Sequence, residues 1–294
     1  MGLLNLKNIL AVADQHKFAV GAFNAIDSNF IDAVFNAAKA QQSPVIINVA
    51  EVHLKYIDIY SASEYIKKKA ELCGVPVCLN LDHGLTFPTI ETAIKCGFSS
   101  IMFDGSHLPY EENMAQTRKV VELCRHYGIS VEGELGAVGG DEGGALESAA
   151  DEALYTKVEQ AKEFVSETGI DALAVAIGNT HGKYKGEPKL DFERLRQIDQ
   201  AVSVPLVLHG GSGISTEDFR KTIELGICKI NFFTGMSQAA LQSIEKDAVT
   251  ASQEKRYNYY LIMMENMQRA ISATVAEQMD IFYSANKAAL YGKS

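Results

Sequence analysis

The 294-residue chain has few cysteines and no cysteine pattern typical of a disulfide framework or a zinc cluster. The five cysteines are an odd, scattered set without a CxxC pair: Cys73, Cys78, Cys96, Cys124 and Cys228. Disulfide frameworks need paired cysteines and an oxidising compartment, so we expect buried thiols in a reducing compartment.

Long apolar runs and targeting signals are also missing. No uninterrupted apolar stretch approaches the ~18 residues of a membrane span, and residues 1–18 have no basic region followed by an apolar core. The N-terminal myristoylation pattern fails because Asn5 and Leu6 stand where a hydroxyl is expected. We therefore expect a cytoplasmic protein with no membrane partner.

Positive charge is the third deficit of the sequence. Lys and Arg number 27 against 37 Asp and Glu, which gives a net charge of −10. A protein that binds the phosphate backbone of nucleic acid needs a basic face, so we expect no nucleic-acid partner. An anionic small substrate would need local help from a metal or from backbone N–H groups.

The sequence does contain a regular alternation of short apolar runs and amphipathic stretches. Segments 29–41 and 111–127 place apolar residues at the helical period. Between the helical stretches lie eight continuously apolar, β-branched runs, which are typical of parallel strands covered on both faces. These runs are 19–25, 44–50, 75–82, 100–105, 130–135, 172–178, 204–209 and 227–233.

Eight such units without a linker predict an α/β fold, a (β/α)8 TIM barrel with extra C-terminal helices. A doubly wound open sheet is the competing fold, but its dinucleotide fingerprint is missing. We expect one domain over 1–294, in which 250–294 is a helical extension that docks on the barrel or on a second subunit. Residues 139–153 form a Gly- and acid-rich stretch, either a solvated loop or a mobile active-site loop.

Three histidines lie at or just beyond the carboxyl ends of predicted strands, where barrel enzymes carry their active sites. His83, His181 and His209 would meet at one end of the barrel, and three neutral imidazoles with an open fourth position make a catalytic zinc site. Asp104 and Glu134 could add carboxylates that orient the ligands or hold a second metal. The remaining histidines, His16, His53, His107 and His126, are expected at surface or capping positions.

Residues 210–213 and 231–234 follow the last two strands, where barrels often bind phosphate through backbone N–H groups. Asp82 precedes His83, and because neighbouring strand side chains diverge, Asp82 could face the substrate as a proton carrier. Glu142 is either a second, mobile base or a solvated charge.

Eight segments in this order resemble the class II, zinc-dependent fructose-bisphosphate aldolase family, in particular its ketose- and tagatose-bisphosphate branch. They are VGAFNA (20–25), SPVII (43–47), LDHG (81–84), SIMFDGSH (100–107), SVEGELGAVGGDE (130–142), TGIDALAVAIGNTHGKYKGEP (168–188), PLVLHGGSGIS (205–215) and LGICKINFFT (225–234).

The resemblance implies reversible aldol cleavage of a ketose (bis)phosphate to dihydroxyacetone phosphate and an aldehyde, through a metal-stabilised enediolate. By position, His83, His181 and His209 resemble the zinc ligands, and Asp104 and Glu134 the second metal position. Asp82 would move the proton of the aldol hydroxyl, and Glu142 would take the proton from carbon 3 of dihydroxyacetone phosphate. The residues matching the phosphate site are Gly182, Gly210, Gly211, Ser212, Asn231, Phe232, Phe233 and Thr234.

The resemblance further implies a homodimer or homotetramer and, in some members, a monovalent cation (Na⁺ or K⁺). Ala50 and Ser272 depart from the pattern where relatives hold the second phosphate, although Arg269 could substitute for the missing cation. We therefore expect poor use of fructose or tagatose bisphosphate. A deoxy-keto-sugar-phosphate aldolase of the same family, or a metal-dependent sugar-phosphate epimerase, is the alternative.

Overall fold

Eight parallel strands form a closed barrel in the computed structural model, which describes residues 2–140, 147–148, 150–254 and 259–292. In chain order the strands are β1 (Val20–Asn24), β2 (Val45–Ala50), β3 (Val77–Gly84), β4 (Ser100–Phe103), β5 (Ser130–Leu135), β6 (Glu147–Ser148), β7 (Ala172–Val175), β8 (Lys183–Tyr184), β9 (Leu206–Leu208) and β10 (Ile227–Phe232). Around the barrel the strands follow the order β1-β10-β9-β7-β5-β4-β3-β2. The two-residue strands β6 and β8 pair with each other outside the barrel.

Helices alternate with the strands, which confirms the predicted (β/α)8 fold. They are α1 (Leu6–His16), α2 (Ser28–Gln41), α3 (Ile59–Cys73), α4 (Phe87–Lys95), α5 (Tyr110–Arg125), α6 (Val158–Thr168), α7 (Phe192–Ala201), α8 (Thr216–Glu224), α9 (Thr234–Glu254) and α10 (Tyr259–Ile281). Short 3₁₀ turns occur at Glu51–His53, Glu152–Leu154 and Ala288–Tyr291.

Sequence signals account for where several helices begin. Asp27 and Asp58 precede α2 and α3, and each carboxylate accepts a backbone N–H of the first turn, from Phe30 at 2.9 Å and from Ser61 at 2.8 Å. Such caps satisfy donors that have no partner inside the helix. The helices cover the barrel and leave its polar strand ends for the site.

Two apolar clusters make up the core. The larger one fills the space between strands and outer helices. The smaller one occupies the barrel interior and includes Leu6, Ile9 and Leu10 of α1 together with Ile46 and Val207 of the strands. All five cysteines are buried and unpaired, as expected.

The predicted strand over 172–178 is shorter in the structure and ends at Val175. Asn179 ends it, because its side-chain oxygen accepts the Ile177 N–H at 2.8 Å in place of a ladder partner. Gly178 then turns the chain with φ of +109°, a value that favours glycine. After the turn, Asn179 Nδ2 donates to the His209 carbonyl at 3.1 Å, which joins this segment to the residues after β9.

Helix α9 follows β10 as the last helix of the barrel alternation, and the predicted C-terminal extension over 250–294 contains helix α10. Helix α10 buries Ile271, Val275 and Met279 in the larger core cluster, so it docks on the barrel of its own chain. Among the described residues no helix combines the length and apolarity that a membrane crossing requires.

Candidate active site and metal centre

Three histidines meet at the carboxyl end of the barrel. His83 is the penultimate residue of β3, His181 follows β7 and His209 follows β9. Their ring centroids lie 4.9 Å apart for His83 and His181, 4.7 Å for His83 and His209, and 5.8 Å for His181 and His209. One nitrogen of each ring lies within 4.8 Å of the others, and all three residues are buried. This donor set, three imidazoles, fits a catalytic zinc ion.

Burial and mutual repulsion set the protonation of the cluster. Burial lowers the pKa of His181 and His209 well below the ordinary 6.5, and the charge that His83 can carry lowers both further. A metal ligand must be a neutral imidazole. His181 and His209 are therefore neutral imidazoles, each with a single N–H, near neutral pH.

Backbone geometry at His83 explains how consecutive residues of β3 reach the same site. His83 has φ of +43°, and the pairing of β3 with β4 shifts register between Leu81 and Gly84. Asp82 and His83 consequently do not diverge as in a regular strand. Asp82 Oδ1 accepts the Asn231 amide at 2.9 Å, while His83 Nε2 lies 3.0 Å from His209 Nδ1.

A second group of possible ligands adjoins the histidines and consists of His83, Asp104 and Glu134, whose ligand atoms also lie within 4.8 Å of one another. His83 Nδ1 lies 2.7 Å from Asp104 Oδ2. Burial opposes ionisation of Asp104, but hydrogen bonds from His83 and Ser106 hold its pKa below the usual range.

Glu134 differs from Asp104, because burial and the charge of Asp104 raise its pKa well above normal. Among the described residues Glu134 Oε2 is buried without a hydrogen-bond partner. A cation in this group would satisfy that oxygen.

Sequence reasoning missed two charged residues inside the barrel beneath the histidines. Lys229 Nζ lies 2.5 Å from Glu132 Oε2, and Glu132 Oε1 lies 2.9 Å from His209 Nε2. The side chains of Glu132, Lys229 and His209 are all 0% exposed. A charged residue within each apolar strand run, SVEGEL and ICKINFF, was the available signal.

A narrow cleft beside His181 collects seven of the eight predicted substrate-binding residues. It is lined by His181, Gly182, Gly210, Gly211, Ser212, Asn231, Phe233 and Thr234. The eighth, Phe232, is not in this lining and packs its ring edge-on against Phe23 at 6.4 Å. The N-terminus of the 21-residue helix α9 borders the cleft, which is favourable for a phosphate.

Close backbone packing shapes this cleft and requires glycine at position 210. Gly210 has φ of +65°, and a Cβ there would lie 2.1 Å from the Thr180 carbonyl oxygen. Tyr184 joins the same two loops, because its hydroxyl accepts the Thr180 N–H at 3.0 Å and donates to the Gly210 carbonyl at 2.8 Å. Burial raises the pKa of Tyr184 to about 12, so the hydroxyl keeps its proton.

A wider cleft of about 170 Å³ opens on the other side of the histidines. Its apolar wall consists of Val52, Leu85 and Val138, and His83, Asp104, Ser106, Glu134, Gly140 and His181 complete the lining. Among the described residues that line either cleft there is no lysine or arginine. Ala50 is fully buried, so Val52 rather than Ala50 borders the space.

Two further residues were predicted to act in the site, Arg269 as a cation for a second phosphate and Glu142 as a base. Arg269 contributes to neither lining and pairs with Glu265 on the exposed face of α10. Glu142 lies outside the described residues. The His181 N–H donates to the carbonyl of Gly139, which is described, at 2.7 Å.

Outside the site, His16, His107 and His126 are exposed, as expected. The expectation is wrong for His53, which is 5% exposed. The 3₁₀ turn after β2 brings its ring to 4.8 Å from Phe233.

Comparisons with known proteins agree with this geometry. The sequence model of the family described as fructose-bisphosphate aldolase class-II matches residues 4–287. A 6-phospho-5-dehydro-2-deoxy-D-gluconate aldolase of Shouchella clausii is 39% identical over 98% of this chain and 97% of its own length. A fructose-bisphosphate aldolase of Staphylococcus aureus is 37% identical over 98% of this chain and 100% of its own. The crystal structure of the YdjI aldolase from Escherichia coli superposes with a TM-score of 0.85 at 34% identity, covering 97% of this chain and 99% of that one.

Proposed function

The chain belongs to the class-II fructose-bisphosphate aldolase family and is a carbon–carbon lyase, and from that premise we propose a zinc-dependent cleavage of a ketose phosphate into dihydroxyacetone phosphate and an aldehyde. The observation that carries the proposal is the convergence of three buried imidazoles next to a cleft lined by backbone and hydroxyl groups. Zinc, when bound by His83, His181 and His209, would act as a Lewis acid that polarises the ketone oxygen and stabilises the charge of the enediolate.

Two carboxylates would carry the protons. Asp82 is held ionised although buried, because the cationic groups nearby outweigh the cost of burial and keep its pKa low. An ionised Asp82 suits the removal of the aldol hydroxyl proton in the cleavage direction. We assign to Glu142 the proton at carbon 3 of dihydroxyacetone phosphate.

The narrow cleft would hold the phosphate of dihydroxyacetone phosphate. Gly210, Gly211 and Ser212 offer close backbone approach and a hydroxyl, and Thr234 begins α9 with its unsatisfied N–H groups. Backbone donors suit a chain of net charge −10. A monovalent cation near this phosphate stays a prediction.

The wider cleft would take the aldehyde half. Since no lysine or arginine lines it and Val52 forms part of its wall, a second phosphate would meet no fixed positive charge from the described residues. We therefore propose an uncharged or differently charged aldehyde. The relative that acts on a deoxy-keto-sugar phosphate supports that substrate type as a second candidate.

We also propose a homo-oligomer, a dimer or tetramer. Support comes from exposed apolar side chains on α9 and α10. On α10, Tyr260 is 69% exposed and Leu261 is 70% exposed. Patches of this kind commonly mark protein interfaces.

The first experiment tests the metal and the reaction together. Purified protein should contain one zinc per chain by elemental analysis, and His209→Ala should lose both zinc and the release of dihydroxyacetone phosphate. His126→Ala, at an exposed position outside the site, is the matched control and should retain both. Full turnover by metal-free protein, or trapping of a substrate imine with borohydride, would refute the proposal.

The second experiment compares kcat/KM over a panel of ketose monophosphates, deoxy-keto-sugar phosphates and fructose bisphosphate. Ala50 and Ser272 remove groups that hold the second phosphate in relatives, and a missing hydrogen bond to a charged group costs about 1.5–3 kcal/mol. The kcat/KM for fructose bisphosphate should therefore be roughly 10- to 150-fold lower than in an enzyme that binds both phosphates. Efficient bisphosphate cleavage by the wild type would contradict the proposed substrate class, and its collapse in Arg269→Ala would identify Arg269 as the group that binds the second phosphate.

A further inference from the structure

A buried ion pair lies directly beneath the proposed zinc ligands. Glu132 comes from β5 and Lys229 from β10, and neither side chain has any exposure. The Glu132 carboxylate has two contacts, one oxygen to Lys229 Nζ at 2.5 Å and the other to His209 Nε2 at 2.9 Å. The three side chains therefore form a chain of contacts that ends on a proposed metal ligand.

Fold stability alone does not explain this pair. Removing two charges from water costs several kcal/mol per ion, and well-packed apolar residues of similar volume often stabilise a fold as much or more. The barrel interior around the pair contains apolar residues, including Ala172, Ala174 and Val207, and its other buried polar side chains include the uncharged Asn48 and Asn80. A Glu–Lys pair at this depth consequently points to a role in the site.

The contacts define which nitrogen of His209 carries the proton. An ionised carboxylate only accepts hydrogen bonds, so His209 Nε2, which faces Glu132, must be the N–H. On the other side of the ring, Asn231 Nδ2 lies 3.2 Å from His209 Nδ1 and also donates to Asp82 Oδ1. The carboxylate of Asp82 fixes the orientation of this amide, and an amide N–H requires an acceptor at His209 Nδ1.

Both sides of the ring thus require the same tautomer, with the lone pair on Nδ1. That nitrogen lies 3.0 Å from His83 Nε2, inside the histidine cluster. We infer that Glu132, held by Lys229, is a positioning residue that keeps His209 in the orientation and tautomer needed to bind the metal. The inference rests on the proposed zinc site.

Lys229 completes the arrangement because it occupies the second oxygen of Glu132. With Oε2 engaged, the carboxylate cannot rotate away and Oε1 stays directed at His209. Carboxylates that orient a metal-binding histidine typically contribute 10- to 100-fold in metal affinity. His83 likewise faces a carboxylate, because its Nδ1 lies 2.7 Å from Asp104 Oδ2.

The test measures zinc affinity by competition with a chelator, together with thermal unfolding of the metal-free protein. Glu132→Gln should bind zinc about 10- to 100-fold more weakly. Asn48→Ala is the matched control, because it removes another buried hydrogen bond of the barrel interior, from Asn80 to Asn48, that contacts no proposed ligand. The control should lower thermal stability and leave the zinc dissociation constant unchanged.

A double variant covers the case in which Glu132→Gln fails to fold because Lys229 is left as a buried, unpaired charge. Glu132→Gln with Lys229→Met removes both charges, should restore folding and should retain the affinity loss. Wild-type zinc affinity in the double variant would overturn the inference.

The wild-type protein supplies a further readout that needs no variant. Long-range ¹H–¹⁵N spectra of the metal-free protein should show His209 protonated at Nε2, and protonation at Nδ1 would overturn the inference. Normal zinc binding in a protein without aldolase activity would reject the proposed reaction and leave this inference intact.

Discussion

Asp82 and Glu134 are buried carboxyl groups whose surroundings shift their pKa values in opposite directions. Burial disfavours the charge of both, but nearby His83 and Lys229 overcome it at Asp82 and keep that pKa low. At Glu134 the negative Asp104 adds to burial and raises the pKa. Carboxyl groups whose pKa values are shifted in opposite directions within one site are typical of acid–base chemistry.

The two proposed proton carriers can be separated by isotope exchange. Glu142→Ala should retain zinc and bind dihydroxyacetone phosphate, yet lose exchange of its carbon-3 proton with solvent. Asp82→Ala should keep that exchange better than carbon–carbon cleavage. Each loss should reach about 10²–10⁴-fold, the usual contribution of a general acid or base. Glu152→Ala, exposed after the same loop, is the control, and normal exchange in Glu142→Ala would give that loop a structural role.

The stability of the metal-free protein should fall as pH drops below 6.5. The pKa values of His181 and His209 are lowered in the folded state. Below pH 6.5 these two histidines therefore bind two protons in the unfolded chain that they do not bind in the folded chain. The raised pKa of Glu134 offsets one of them, because folded Glu134 keeps a proton that the unfolded chain releases. One net proton corresponds to about 1.4 kcal/mol per pH unit.

Denaturant unfolding of chelated protein between pH 7 and 5.5 measures this slope. His181→Asn should flatten it, whereas His16→Ala, at an exposed position, should leave it unchanged. Stability that is constant or rises toward low pH would contradict the inferred protonation of the cluster.

The loops after β7 and β9 together line the narrow cleft that is proposed to hold the phosphate, and the Tyr184 hydroxyl is one of the groups that connect them. Tyr184→Phe removes a buried hydroxyl that contacts the Thr180 N–H and the Gly210 carbonyl. Leaving such groups unsatisfied costs about 1–3 kcal/mol. We expect a lower free energy of unfolding and a raised KM for the ketose phosphate, with zinc content unchanged.

Tyr110→Phe is the matched control for Tyr184→Phe. Its hydroxyl donates to Glu163 at 2.9 Å on helix α6, away from both clefts, so KM should not change. Equal KM values in the two variants would show that Tyr184 does not shape the cleft.

Strand positions and the residues that follow them could be predicted because buried parallel strands have a distinctive apolar pattern. Contacts between residues of different elements could not be predicted, because no local pattern encodes them. His83 has a left-handed φ that no local pattern announces, and Glu132 meets Lys229 across a sequence separation of 97 residues. His53 was misplaced because a polar residue beside a strand gives no sign of the aromatic ring that will cover it.

For the molecule as a whole, α9 and α10 have two different faces. One face of α10 closes the barrel through Ile271, Val275 and Met279. Both helices also expose apolar side chains, including Leu241, Val249 and Leu261. The inner face explains why these helices belong to the fold, and the exposed side chains are suited to contact a second copy of the chain.

Light scattering should therefore find a dimer or tetramer that Leu261→Glu weakens. Burying a leucine contributes about 1.5–3 kcal/mol, and a two-fold interface contains each position twice. Losing both leucines should thus cost about 3 kcal/mol or more, at least a ~100-fold increase in the dissociation constant. Leu72→Glu on α3 is a matched control, because Leu72 and Leu261 are both 70% exposed. A monomeric wild type, or equal dissociation of both variants, would exclude the C-terminal helices as the interface.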